Sequence, residues 1–193
     1  YTATKAGYID ASGSIDVNTA DVIEIVTLQT IEYSITFNVT DGTSAIEGAA
    51  ITIGSTTINT DTQGVAVFEG LIPAAYDYTI VKAGYDNATG SVTLTNSNEA
   101  KNVTMVLTPY TLTFNVTTGG NALEGASVTV GGIAVTTDAA GHAIFTGKTM
   151  GTYAYTVTKS GYNDVTGNAV VGTGDISENV SMVLTSYSVT FTV

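Results

Sequence analysis

The chain has no cysteine, no tryptophan and no arginine, and it carries only two prolines and one histidine. Each absence closes a class of chemistry. Without cysteine there are no disulfide staples, thiolate nucleophiles, iron–sulfur clusters or cysteine zinc sites. One histidine rules out a His-rich metal centre. Basic residues are scarce too: five lysines against 17 acidic side chains leave a formal net charge of −12 over 193 residues. A surface this negative, with no guanidinium fork for phosphates or base edges, excludes nucleic-acid binding. No apolar run approaches the roughly 18 residues that a membrane-spanning helix needs.

What is present is apolar and uncharged-polar. Hydrophobic residues make up 44% of the chain and charged ones 11%, enough apolar material for a core. Polarity comes from 36 Thr and 13 Ser. With β-branched Thr and Val throughout, this composition reads as solvated faces of β-sheets. The first residue is Tyr and no signal-peptide pattern follows it; a targeting sequence is expected to have been removed or to lie outside this segment.

Internal repetition organises the chain. Tyr33-Ser-Ile-Thr-Phe-Asn-Val39 returns as Tyr110-Thr-Leu-Thr-Phe-Asn-Val116 and again as Tyr187-Ser-Val-Thr-Phe-Thr-Val193, each 77 residues on. Tyr1-Thr-Ala-Thr-Lys-Ala-Gly-Tyr8 returns at Tyr78–Tyr85 and Tyr155–Tyr162 with the same offset. Residues 33–109 and 110–186 are identical at 33 of 77 positions without a gap. The expected organisation is therefore the C-terminal half of a repeat (1–32), two full repeats (33–109 and 110–186) and the first strand of a further one (187–193). Both ends fall inside repeats, so the segment is expected to be a slice of a longer array or to be completed by neighbouring molecules.

Within one repeat, Tyr33, Ile35, Phe37 and Val39 alternate with polar residues, as a strand with one buried face does. Further strands are expected around Ala49–Ile53, Thr56–Thr60, Ala66–Phe68, Tyr76–Ile80, Val92–Leu94 and Val103–Leu107. Thr60-Asp-Thr-Gln-Gly64 and Thr137-Asp-Ala-Ala-Gly141 read as β-turns, with Asp accepting backbone N–H groups and Gly supplying the fourth position. No window shows a 3.6-residue period. About seven short strands per repeat predict an all-β fold of tandem immunoglobulin-like Greek-key β-sandwiches.

The succession Leu123-Glu-Gly-Ala126, Thr136-Thr-Asp-Ala-Ala-Gly141, Ala143-Ile-Phe145 and Gly151–Tyr162 resembles the carboxypeptidase-regulatory-like, transthyretin-like and B-type collagen-adhesin-like domains of prokaryotic cell-surface proteins. The resemblance implies an immunoglobulin-like sandwich, an extracellular location and a spacer or adhesive role. Many B-type collagen-adhesin domains join a first-strand Lys to a late-strand Asn in an isopeptide bond. Here 33–39 and 110–116 contain no Lys, so no loss of ammonia from the intact mass is expected.

Candidate chemistry is thin. His142 has Val65 at the equivalent position and no nucleophile motif beside it, so it reads as a strand residue. Asp61 and Asp138 each offer one carboxylate, and Ca²⁺ wants six to eight oxygens. Asp10, Asp16, Asp21 and Glu24 crowd the first 32 residues, but Asp16 and Asp21 align with Thr93 and Asn98. No catalytic, metal or cofactor site is expected. The repeated tyrosines Tyr33, Tyr76, Tyr78 and Tyr85 fit core packing with a hydroxyl at the sandwich edge, or a sugar platform. Asn-x-Ser/Thr sequons at Asn38, Asn87, Asn102, Asn115 and Asn179 are candidate glycosylation sites on solvent-facing positions. Tyr187, Val189, Phe191 and Val193 form a candidate donor strand for a neighbouring subunit. The expected function is mechanical: a repeat segment of an extracellular filament or cell-surface stalk whose partners are copies of itself or flanking repeats. The alternative is an adhesive module that recognises carbohydrate or a protein.

Overall fold

A computed structural model describes residues 1–192; Val193, the last of the candidate donor-strand residues, lies outside them. Strands are the only regular secondary structure there, in the order β1 (Thr2–Ala3), β2 (Ala11–Ser12), β3 (Tyr33–Thr40), β4 (Ala50–Ile53), β5 (Thr56–Asn59), β6 (Val65–Leu71), β7 (Ala75–Val81), β8 (Ala88–Thr93), β9 (Glu99–Thr104), β10 (Tyr110–Thr118), β11 (Asn121–Ala122), β12 (Ser127–Val130), β13 (Ile133–Thr136), β14 (His142–Lys148), β15 (Gly151–Thr158), β16 (Val165–Val171) and β17 (Ile176–Ser181). The fold is all-β, and its sandwiches are immunoglobulin-like. The chain divides into two compact units, Tyr1–Val106 and the segment from Leu107 onward.

In the first unit, β6-β3-β9 form one sheet and β5-β4-β7-β8 the other. The chain passes back and forth between them, as a Greek key requires. Alternation decides which side chains meet. Ile35, Phe37 and Val39 are fully buried, and Ile51 and Ile80 of the facing sheet close over them. Phe37 packs edge-on against Phe68 and Tyr78, with centroids 5.8 Å and 5.0 Å away. The second unit repeats this layout with β14-β10-β17 against β13-β12-β15-β16. Phe114 meets Phe145 and Tyr155 in the same edge-on way. The two-residue β11 is its one extra strand.

First and last strands of each sandwich run parallel. β3 pairs with β9 from Ile35↔Glu99 to Thr40↔Thr104, and β10 pairs with β17 from Leu112↔Ile176 to Thr117↔Ser181. Parallel neighbours need a long crossover, and the intervening strands supply it.

The Thr-Asp-x-x-Gly motif ties the two sheets together at one corner. The Thr60 hydroxyl accepts the Ala49 N–H at 2.8 Å and donates to the Ile46 carbonyl at 2.6 Å; Thr137 makes the equivalent bonds to Ala126 and Leu123. These are the two buried polar residues of the described chain. Asp61 accepts the N–H groups of Gln63 and Val65. Gly64 has φ of 76°, and a Cβ there would stand 2.4 Å from the Val39 carbonyl oxygen. Gly141 is in the same position against Val116, so no other residue suits either site.

The seventh strand ends earlier than the alternation of Val103, Met105 and Leu107 predicts. β9 stops at Thr104, and Leu107 is 43% exposed. The Val106 carbonyl accepts the Asp86 N–H, so the chain is drawn to the Lys-Ala-Gly-Tyr turn and leaves the sheet.

Residues 1–32 keep the local register of the repeat. Thr2↔Ser12 and Ala3↔Ala11 reproduce Thr79↔Thr89 and Ile80↔Ala88 at the 77-residue offset. Burial differs: Ile15 and Val17 are 40% and 69% exposed, whereas their counterparts Val92 and Leu94 are 9% and 2% exposed.

Candidate functional site

Three kinds of place deserve a functional reading: the repeat junctions, the outer face of the three-stranded sheet, and one cleft.

Each Lys-x-Gly-Tyr turn holds a segment further along the chain, which in the two sandwiches is the one that follows β9 or β17. The turn closes on itself, with the N–H groups of Tyr8, Tyr85 and Tyr162 donating to the carbonyls of Lys5, Lys82 and Lys159. The following segment is then bonded to it. Ile9 N–H donates to Gln29 and Ile31 N–H to Gly7; Asn163 N–H donates to Val183 and Thr185 N–H to Gly161. Asp86 N–H donates to Val106 at the intermediate position. The lysine does a second job. Lys82 Nζ donates to the Glu47 carbonyl at 2.5 Å, and Lys159 Nζ to that of Glu124 at 2.6 Å. The Glu-Gly-Ala and Lys-x-Gly-Tyr motifs, 35 residues apart, are therefore one structural unit.

On the outer face, the sequons pair. Asn38 lies opposite Asn102 across the parallel strands and donates its Nδ2–H to Oδ1 of Asn102 at 2.9 Å. Asn115 and Asn179 make the same bond at 2.9 Å. Asn38 and Asn115 are half-buried, and Asn102 and Asn179 exposed. Asn87 stands apart, exposed in the short run before β8. No lysine sits on β3 or β10. Lys101 is on β9, with Nζ 6.0 Å from the centre of the Tyr78 ring, and Glu178 takes that position in the second sandwich and accepts from the Tyr155 hydroxyl at 3.3 Å.

Burial raises the Tyr155 pKa, and the charge of Glu178 beside it adds to the effect. Asp41 caps a turn by accepting from the Thr43 hydroxyl, the Ser44 N–H and the Thr43 N–H, which lowers its pKa to about 2. Burial, with Asp41 nearby, raises Tyr85. The His142 N–H and then the Ala140 N–H lower Asp138.

Tyr78 and Tyr155 are core residues, while Tyr76 and Tyr153 turn their hydroxyls back to the carbonyls of Ile72 and Thr149. His142 is exposed on β14. Among the described residues no three His, Asp or Glu side chains gather to hold a metal ion. No helix there is long and apolar enough to cross a membrane. Tyr187, Val189 and Phe191 are 88%, 78% and 87% exposed and belong to no strand.

The cleft lies within the first unit and has a volume of about 590 Å³. Tyr8, Tyr33, Ile72 and Pro73 wall it, and Thr95 and Asn96 stand at its rim.

The chain shares its fold with the Bacillus anthracis TIE protein. The likeness has a TM-score of 0.63 at 20% identity and covers 80% of this chain and 34% of that one. The present chain thus spans about a third of that protein's length. Weaker likenesses run to the minor pilin GBS52 of Streptococcus agalactiae (TM-score 0.38, 15% identity, 83% of this chain and 99% of that one). Another is the shaft pilin SpaA of Lactobacillus rhamnosus GG (TM-score 0.34, 15% identity, 81% and 98%). No family model matches the chain, and no curated protein matches it either.

Proposed function

We propose that the chain is a structural segment of an extracellular filament or cell-surface stalk, built from tandem sandwiches with boundaries at 32/33, 109/110 and 186/187. One observation carries this reading: the segments leaving β9 and β17 are hydrogen-bonded back to the Lys-x-Gly-Tyr turn of their own sandwich or to the residue that follows it. Few residues then remain free between one sandwich and the next first strand, and short, pinned connections make repeats stack as a stiff rod. The resemblance to carboxypeptidase-regulatory-like and B-type collagen-adhesin-like domains points the same way. So does the surface, whose negative charge keeps neighbouring rods apart.

Strand exchange is the finer form of the proposal. The exposed apolar side chains of Tyr187, Val189 and Phe191 match the buried face of β3, and such a segment adds to another subunit's sheet through its backbone.

Three measurements test the reading. Antibodies against residues 33–186 should label intact cells, and protease shaving should remove the label; retention inside the cell overturns it. Small-angle scattering should give one extended maximum dimension; a broad distribution of shapes overturns the rigid junction. Phe191→Asp should abolish concentration-dependent oligomers if strands exchange.

A further inference from the structure

We infer that the cleft beside Tyr8 and Tyr33 is a binding site for an uncharged saccharide. The inference concerns a site within one unit, and it stands or falls separately from the stalk reading.

Size comes first. A cleft of about 590 Å³ falls in the usual range of small-molecule sites. The walls are chemically apt. Tyr8 and Tyr33 are half-buried and both line the space, and Tyr33 is anchored against the core of the first sandwich. Lys5 Nζ stands 4.4 Å from the centre of the Tyr8 ring and covers one side of it. A sugar ring has an apolar C–H face that packs on such surfaces, and Ile72 and Pro73 extend the apolar wall.

The rim supplies directional polar groups. Asn96 and Thr95 are exposed, and the Thr95 hydroxyl donates to Asn96 Oδ1 at 3.2 Å. That bond orients the amide and leaves its Nδ2–H groups without a partner among the described residues. An amide and a hydroxyl are the groups that read vicinal sugar hydroxyls.

Charge selects the class. The chain has 17 acidic residues, yet none of its charged side chains lines the cleft. The one cation beside the cleft, Lys5, is engaged over the Tyr8 ring, and an anionic sugar must approach a negative molecule. A cationic ligand finds no carboxylate in the lining, and Glu32 next to it already accepts from the Thr30 hydroxyl at 3.3 Å. The fitting occupant is neutral.

Repetition separates scaffold from specificity. At the 77-residue offset Tyr8 and Tyr33 become Tyr85 and Tyr110, so each tyrosine recurs with the repeat. Ile72, Pro73, Thr95 and Asn96 become Thr149, Met150, Gly172 and Thr173. The rim occurs once, as a specific site in an array of like modules would.

The test is a titration of isotope-labelled chain 1–193 by NMR. The probes are glucose, galactose, N-acetylglucosamine, lactose and maltose, with glucuronate and sialic acid as anionic counterparts and a proline-rich peptide as competitor. At least one neutral saccharide should shift the amides of Gly7, Tyr8, Thr95 and Asn96 saturably, and the anionic sugars should not. Asn96→Ala, on an exposed loop, should weaken binding roughly tenfold with the melting temperature unchanged. Tyr8→Phe should bind nearly as well as the parent, since the ring is retained. The inference is overturned if no neutral sugar shifts these amides, if the anionic sugars or only the peptide bind, or if Asn96→Ala binds as tightly as the parent.

Discussion

Tyr78 lies across Gly90. The two residues pair directly between β7 and β8, and a Cβ on Gly90 would stand 2.5 Å from the Tyr78 hydroxyl oxygen. Tyr155 covers Gly167, and Tyr1 covers Gly13, in the same way. The glycine leaves room for the ring, and the ring shields backbone that glycine would expose. Because Tyr78 is buried against Phe37, it cannot swing away freely. Gly90→Ala should therefore destabilise the first sandwich by about 1–3 kcal/mol in denaturant unfolding. Combined with Tyr78→Ala the loss should be less than additive, because the second change removes the clash.

The buried hydroxyl of Thr60 bridges Ala49 and Ile46, and Thr60→Val keeps the shape while removing the bridge. One N–H and one carbonyl are then left in the core without that partner. The expected cost is about 2–3 kcal/mol, with Thr60→Ser recovering most of it. Equal stability of the valine variant would show that the corner does not depend on this bridge.

Asp41 makes stability depend on acid. Its carboxylate is held in the folded chain by the Thr43 hydroxyl and by the N–H groups of Ser44 and Thr43, and its pKa falls from 3.8 to about 2. The folded state binds the proton more weakly than the unfolded state. Its contribution is thus present above pH 3.8 and is lost as pH falls through about 2. Asp41→Asn should flatten the melting-temperature profile between those two values relative to the parent, and leave its slope above pH 5 unchanged.

The sequon pairs predict which asparagines accept a glycan on folded protein. The Asn38 and Asn115 amides donate to Asn102 and Asn179, and all four lie in paired strands. Asn87 lies in an exposed connection. Peptide mapping after treatment of the folded chain with an oligosaccharyltransferase should find Asn87 modified and the four paired asparagines bare. Modification of Asn102 or Asn179 would show that the ladder opens in solution.

The period-2 alternation of Ile35, Phe37 and Val39, the Thr60-Asp61…Gly64 turn and the 77-residue offset determined most strands of the two sandwiches and the faces they bury without any coordinates. Those signals are local, since alternation and turn chemistry depend on near neighbours in the chain. Only the tertiary structure decided which strands sit side by side. The parallel pairing of β3 with β9 brings Asn38 to Asn102 across 64 residues, and the Lys82 reach to Glu47 spans 35. Alternation reports that a face is covered, not what covers it. Ile15 and Val92 occupy equivalent positions in like patterns, yet only Val92 has a facing sheet over it and is buried. The cleft was illegible for the same reason: its walls come from four segments, each unremarkable alone, which fold topology brings to one edge.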